Sequence, residues 1–252
     1  MTRTVAQKRA EFRALHEQGC FAIPNPWDKG SARYLQGLGF KALATTSSGH
    51  AWSLGLADGG QSRDTMLAHL RDIAGACGST GWVSSVVGVH PWQVALFADE
   101  AQQAVWGDDT STRLSSSYAP TGKAVQTEGG FTLSGKWSFS SGCDHCQWVL
   151  LGGLVFNEDG NVVDFRTFMI PRSDYQILDV WHMVGLAGTG SNDIVVDDVF
   201  VPEAFTLSMG ETGQCRGPGQ AVNTSDLYKL PFHSIFTTTI ATYLRMAGWG
   251  TT

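Results

Sequence analysis

The run Ser134-Gly135-Lys136-Trp137-Ser138-Phe139-Ser140-Ser141-Gly142 packs hydroxyls, two aromatic rings and bare backbone into one short stretch. A hydroxyl donates or accepts without carrying charge, and glycine lets a flat ligand approach the main chain, so this run could hold the edge of a planar heterocycle. His90, in Gly88-Val89-His90-Pro91-Trp92, is the second candidate. An imidazole titrates near neutrality and can orient a hydroxyl or take its proton, although a lone histidine before proline also serves as a cap or a satisfied core group. Ser116, within Ser115-Ser116-Ser117, adds a further hydroxyl. Gly188-Thr189-Gly190-Ser191 offers N–H groups and hydroxyls to a cofactor edge or phosphate, or is a plain strand-connecting turn. It is no dinucleotide fingerprint, because Asp193 stands in place of the third glycine and a strand follows. Cys143-Asp144-His145-Cys146 is at most half a zinc site with no second pair, and a redox CxxC would open a helix, so no metal is expected.

The elements that must position these groups follow from periodicity. Phe131 and Leu133 alternate with Thr132, Ser134-Gly135 reads as a tight turn, and Trp137 and Phe139 alternate with Ser138 and Ser140, which predicts a hairpin with one apolar face. Gln147–Phe156 is a strongly apolar strand, residues 157–160 a turn, and Val162–Ile170 its partner, ended by Pro171. Tyr175–Met183 and Ile194–Val201 complete about six strands, most simply an antiparallel barrel or sandwich. Upstream, residues 1–74 read as helix, strand, helix, strand, helix, with Ser62 capping the last. Thr80–Val89 is an ambiguous apolar stretch, and Pro91 is placed to open a helix through about Val105. Residues 203–226 read as a linker, and His233–Ala247 restarts a helix.

Composition narrows the class. The chain has 252 residues, 42% hydrophobic and 16% charged, enough for one large or two modest domains with a real core. A formal charge of −6 and the lack of a basic stripe argue against nucleic acid or an anionic membrane as partner. The N-terminal residues are polar with apolar positions at helical spacing, unlike a signal peptide or anchor, and five scattered cysteines suit a reducing compartment, so a cytoplasmic location is expected.

Three motifs in order, GSTGWVSSVVGVHPWQVALF, GKWSFSSG and GLAGTGSNDIVVDDVFVPE, resemble the acyl-CoA-dehydrogenase-fold flavin monooxygenases, the oxygenase halves of two-component aromatic hydroxylases. The resemblance implies an α+β protein whose antiparallel β domain, residues 110–205, binds flavin, with a helical segment at 75–109 and the start of a C-terminal helical domain at 206–252. It implies reduced FMN or FAD as cofactor, a flavin reductase component, O2 and an aromatic small molecule as partners, and a homo-oligomer in the full-length family. On the matching positions, Ser141 faces the flavin N5 edge and Trp137 packs beside the ring. Ser140, Gly188, Thr189 and Ser191 line the cofactor, His90 lies by the phenolic substrate, and Ser116 serves substrate or flavin. Such a site must hold reduced flavin, admit oxygen and exclude water.

Residues 1–74 resemble instead the start of a phosphoenolpyruvate mutase or isocitrate lyase barrel, with Ser47, Ser48 and Gly49 at its anion-binding turn and Asp58 near its metal. About two of eight βα units are present, an incomplete TIM-barrel-like fragment that cannot close. Alternatives to the monooxygenase are therefore an enzyme of that second family acting on a small oxo acid, a non-catalytic fusion or truncation product, and an acyl-CoA dehydrogenase.

Overall fold

Seven strands form one sheet: β1 Leu114–Thr127, β2 Gly130–Ser140, β3 Trp148–Phe156, β4 Val162–Pro171, β5 Gln176–Leu178, β6 Asn192–Pro202 and β7 Thr206–Ser208. Their order is β5-β6-β2-β1-β3-β4-β7. Neighbours run antiparallel except β1 and β3, which are parallel. The computed structural model describes residues 7, 14, 29–41, 63–157, 159–230, 232 and 235. It divides into two units, Met1–Met66 and Leu67–Thr252. In the first, α1 spans Lys29–Gly37, overlapping the helix expected over residues 31–38 but starting two residues earlier. The expected strands at Cys20–Ile23 and Ala42–Thr46, the Ser62 cap, most of the helices at 6–18 and 233–247, and Ser47, Ser48, Gly49 and Asp58 lie outside the described residues. Helix α2 spans Arg63–Ala76, and α3 Gly78–Val87, α4 His90–Val94, α5 Asp99–Trp106 and α6 Met209–Gly213 belong to the second unit. Among the described residues no helix is long and apolar enough to cross a membrane.

The sheet is buried on both faces where β3 runs. Val149 and Leu151 join Phe131, Leu133, Trp137, Phe168 and Ile194 in one core. Leu150 points the other way, into a second core with Leu96, Phe97, Val105 and Met169. This explains the unbroken apolar run at residues 148–156: a strand covered on both sides has no polar face to alternate with.

Four expectations need correction. The β domain is one mixed sheet, not an antiparallel barrel or sandwich, because β1 and β3 pair in parallel at its centre. Ser134-Gly135 is not a turn. β2 continues through it and the hairpin reverses at Glu128-Gly129, where Gly129 has φ +78. Gly135 is required for a different reason, since a Cβ there would lie 2.8 Å from the Trp137 ring and 2.9 Å from Gly122 Cα. The single helix expected from Pro91 to Val105 is two helices. Between them Leu96 N–H bonds Gln93 O at 2.9 Å and Phe97 N–H bonds Val94 O at 3.0 Å, a tightened turn that drives Leu96 and Phe97 into the core.

Finally, residues 203–226 are no linker. The tightened turn leaves carbonyls without a helical backbone partner, and this segment bonds them: Gly219 N–H donates to Leu96 O at 2.8 Å and Asn223 Nδ2 to Ala95 O at 2.9 Å. Arg166 fastens the segment's start, bonding Asp164, Glu203 and Thr206 from a largely buried position over the Phe131 ring.

Candidate functional site

Strand β2 ends in a bulge. Trp137 pairs with Ile194 and Ser140 with Asn192, so β2 carries one more residue than β6 between these points. Phe139 absorbs the excess with φ +66, a left-handed conformation that is strained for an aromatic residue. The extra residue reverses the alternation. Phe139 is 68% exposed while Ser140 is fully buried, opposite to the single apolar face expected from the sequence. Outside, Phe139 meets Trp181 edge to face at 5.9 Å, and the Trp181 indole N–H donates to Leu186 O at 3.0 Å.

Immediately after the bulge, Ser141 anchors a chain of hydroxyls. Its Oγ accepts from the Trp82 indole N–H at 2.9 Å and lies 2.7 Å from Ser191 Oγ. Ser191 Oγ is 2.7 Å from Thr189 Oγ1, which donates to Leu186 O at 2.9 Å. Leu186 itself has φ +53, a second strained residue beside the same chain. Gly142 N–H bonds Thr189 O at 2.8 Å. With φ +75 and a would-be Cβ 2.9 Å from Val83 Cγ1, position 142 admits only glycine without rearrangement. Thus Ser141 converges on one spot with Thr189 and Ser191, about 50 residues further along the chain. Gly188 is exposed at the same turn.

The other expected residues fall elsewhere. Ser140 turns inward and donates to Ser115 Oγ at 3.1 Å, away from the Ser141 chain. Trp137 is corrected to a core residue: it has no exposed surface, and its indole N–H is spent on Gly152 O at 2.7 Å in a slot floored by glycines. Its ring offers nothing to a ligand at the surface. Cys143 and Cys146 are buried thiols pushed up to about 11 and about 12, first by desolvation, so at neutral pH they are protonated and unreactive. No group of three potential metal ligands occurs among the described residues. A cavity of about 180 Å³ beside Trp148, Phe200 and Phe205, and an open hollow of about 400 Å³ beside Lys123 and Asp198, include none of the expected site residues.

His90 heads a second group. Its Nδ1 lies 3.3 Å from Val87 O, and since a carbonyl only accepts, Nδ1 carries the proton. Burial is complete and lowers its pKa from 6.5 to about 4, so the residue is neutral at pH 7, contrary to the near-neutral titration expected. The Tyr118 ring stacks on it at 6.5 Å, and the Tyr118 hydroxyl donates to Gln93 Oε1. Burial holds that phenol far above its usual range, while Ser116, itself nearly buried, bonds it and lowers the pKa slightly. Helix α3 serves both groups. Trp82 holds Ser141, Val83 and Val87 cover Gly142, and Val87 O holds His90.

The depressed pKa sets a pH dependence. A neutral folded-state imidazole gives its full stability above 6.5, and that stability is lost as pH falls from 6.5 through about 4. The loss should reach about 3 kcal/mol. Urea unfolding at a series of pH values should show this slope in the native protein and a flatter one in His90→Asn.

Sequence reasoning missed Trp82, Phe139 with Trp181, and the Gln93–Tyr118 pair. Trp82 lay within a recognised motif, and its indole was the available signal. Nothing local marks Phe139, because the bulge that exposes it is a property of β6 pairing.

The sheet and its helices have the acyl-CoA-dehydrogenase-like fold of the flavin-dependent monooxygenases, as comparison with solved structures shows. The crystal structure of 3-HSA hydroxylase from Rhodococcus sp. RHA1 superposes with TM-score 0.71 at 52% identity, covering 73% of this chain and 48% of that one. In sequence the chain is 53% identical over 185 residues to the flavin-dependent monooxygenase oxygenase subunit HsaA of Rhodococcus jostii (strain RHA1), 73% of this chain and 48% of the relative. It is 39% identical over 161 residues to the oxygenase component of the FADH2-dependent resorcinol hydroxylase of Rhizobium sp. (strain MTP-10005), 64% of this chain and 39% of that one. The chain spans about half the length or less of these relatives. The family model for phosphoenolpyruvate phosphomutase matches residues 12–83, beyond the limit near Ala74 read from the sequence and into α3.

Proposed function

We propose that the Leu67–Thr252 unit is the flavin-binding part of a monooxygenase oxygenase component that takes reduced FMN or FAD from a separate flavin reductase and hydroxylates a phenolic or polycyclic aromatic ring with O2. The observation that carries this reading is the hydroxyl chain converging on Ser141 at the bulged end of β2. Its chemistry fits an uncharged heterocycle edge: neutral hydroxyls, the Gly142 backbone, and exposed Phe139 backed by half-buried Trp181 as an apolar flank. Reduced flavin, when bound, supplies the electrons and the oxygen-activating ring.

This chain's residues supply position and hydrogen bonds. Ser141 meets the N5 edge, and Gly188, Thr189 and Ser191 line the polar side. Neutral His90, with its proton on Nδ1, stands on the side of the phenolic substrate, and Ser116 supports the same side through Tyr118. Trp137 and Ser140 act only through the core that fixes Ser141. Removing the Ser141 hydroxyl should weaken binding of reduced flavin about tenfold, the worth of one hydrogen bond. Anaerobic titration of native protein and Ser141→Ala with dithionite-reduced FMN and FAD measures this, and equal affinities would reject the assignment.

The match to phosphoenolpyruvate phosphomutase at residues 12–83 favours a second reading, in which Ser47, Ser48, Gly49 and Asp58 hold a small oxo acid with Mg²⁺. A ligand that binds only the native state raises stability, so unchanged melting with oxalate plus Mg²⁺ would remove it.

A further inference from the structure

The hydroxyls beside Ser141 have a fixed polarity, which follows from counting protons. Each hydroxyl has one proton to give. Thr189 Oγ1 lies 2.9 Å from Leu186 O, a carbonyl that can only accept, so the Thr189 proton goes there. At 2.7 Å from Thr189, Ser191 must then be the donor to Thr189 Oγ1. Ser191 has no second proton for Ser141, so in their 2.7 Å contact Ser141 is the donor. The Trp82 indole N–H fills one lone pair of Ser141 Oγ. What Ser141 retains is one lone pair, an acceptor. Nothing in the sequence motif conveys this, since serine alone serves equally as donor or acceptor.

The two oxidation states of a flavin differ at the atom in question. Reduced flavin carries N5–H, a donor, and oxidised flavin has a bare N5 lone pair, an acceptor. We propose that Ser191 and Thr189 are positioning residues that commit Ser141 to accepting, and so make the site selective for reduced over oxidised flavin. This rests on the reading that Ser141 faces N5, and it concerns how the chain is built behind it. Such a polarity would suit an oxygenase that receives flavin already reduced and must release the oxidised form: reduced cofactor finds a partner for its N–H, and oxidised cofactor meets lone pair against lone pair. The strained carbonyl of Leu186 is the end stop. It also accepts from Trp181 Nε1 at 3.0 Å and Thr189 N–H at 3.0 Å, so the turn that fixes the proton direction holds the half-buried indole as well.

Thr189→Val keeps the shape at position 189 but removes the acceptor for Ser191. Ser191 can then donate to Ser141, and Ser141 is free to donate outward to an oxidised N5. The measurement is the ratio of dissociation constants for oxidised and reduced FMN, by anaerobic equilibrium dialysis, on native protein, Thr189→Val, Ser191→Ala and Thr189→Ser. The ratio should fall about tenfold in Thr189→Val and Ser191→Ala, the worth of one hydrogen bond, and recover in Thr189→Ser. The midpoint potential of bound FMN should drop with it, by about 30 mV for a two-electron couple. Native protein that binds both states, with a ratio unmoved in Thr189→Val and Ser191→Ala, overturns the polarity alone. Native protein that binds neither state overturns the flavin reading together with it.

Discussion

Trp137→Ala should lower the unfolding free energy by about 3–5 kcal/mol, measured as a fall in the urea midpoint, because a fully buried indole is lost from a cavity that cannot collapse. The cavity walls are main chain. A Cβ on Gly122 would come within 2.3 Å of the Trp137 ring and one on Gly135 within 2.8 Å, so the ring already touches the backbone of two strands held by their own ladders. Trp137→Phe separates packing from hydrogen bonding. It retains most of the apolar volume but strands Gly152 O, which accepts the indole N–H at 2.7 Å, and should cost about 1–3 kcal/mol. In that variant the affinity for reduced flavin should stay within about twofold of native, well below the change expected for a lost ligand contact. A tenfold weakening at unchanged stability would instead restore the indole to the ligand's side.

Gly219→Ala is the second large effect. Its Cβ would stand 2.1 Å from Ala95 O and 2.4 Å from Phe97 O, both backbone atoms of the turn between α4 and α5. No rotamer relieves a main-chain clash, so either the docked segment lifts or the turn shifts and loses the Gly219 N–H to Leu96 O bond. The expected cost is about 4 kcal/mol, the upper range of overpacking plus a broken hydrogen bond. Limited proteolysis should show new cleavage within residues 209–230 before the sheet is attacked. Native-like resistance would mean that the segment is held by something other than this contact, for instance by the Asn223 bonds to Ala95 O and Gln102.

These two positions mark where the chain could and could not be read in advance. Strands β3 and β4 and the turn between them were legible because apolar runs, β-branched residues and the residues at 157–160 act locally. The resemblance to the monooxygenases was legible in ordered motifs, and the fold agrees with it. His90, Ser141, Thr189 and Ser191 could each be nominated by residue type. Yet whether Trp137 was a platform or a core residue depends on which strands enclose it. The charge state of His90 depends on complete burial, which no neighbouring residue in sequence announces.

By itself, then, the sequence determined the α+β class, the resemblances of its two parts and the chemical types gathered near the end of β2, because periodicity and side-chain chemistry are written residue by residue. Tertiary structure alone decided which of those side chains meet. One additional residue opposite β6 sends Phe139 outward and Ser140 inward, and a carbonyl at Leu186 settles which way every proton in the serine–threonine chain points. The first arises from pairing between segments far apart in the chain, and the second reaches Ser141 only through its contact with the distant Ser191, so a local pattern carries no record of either partner.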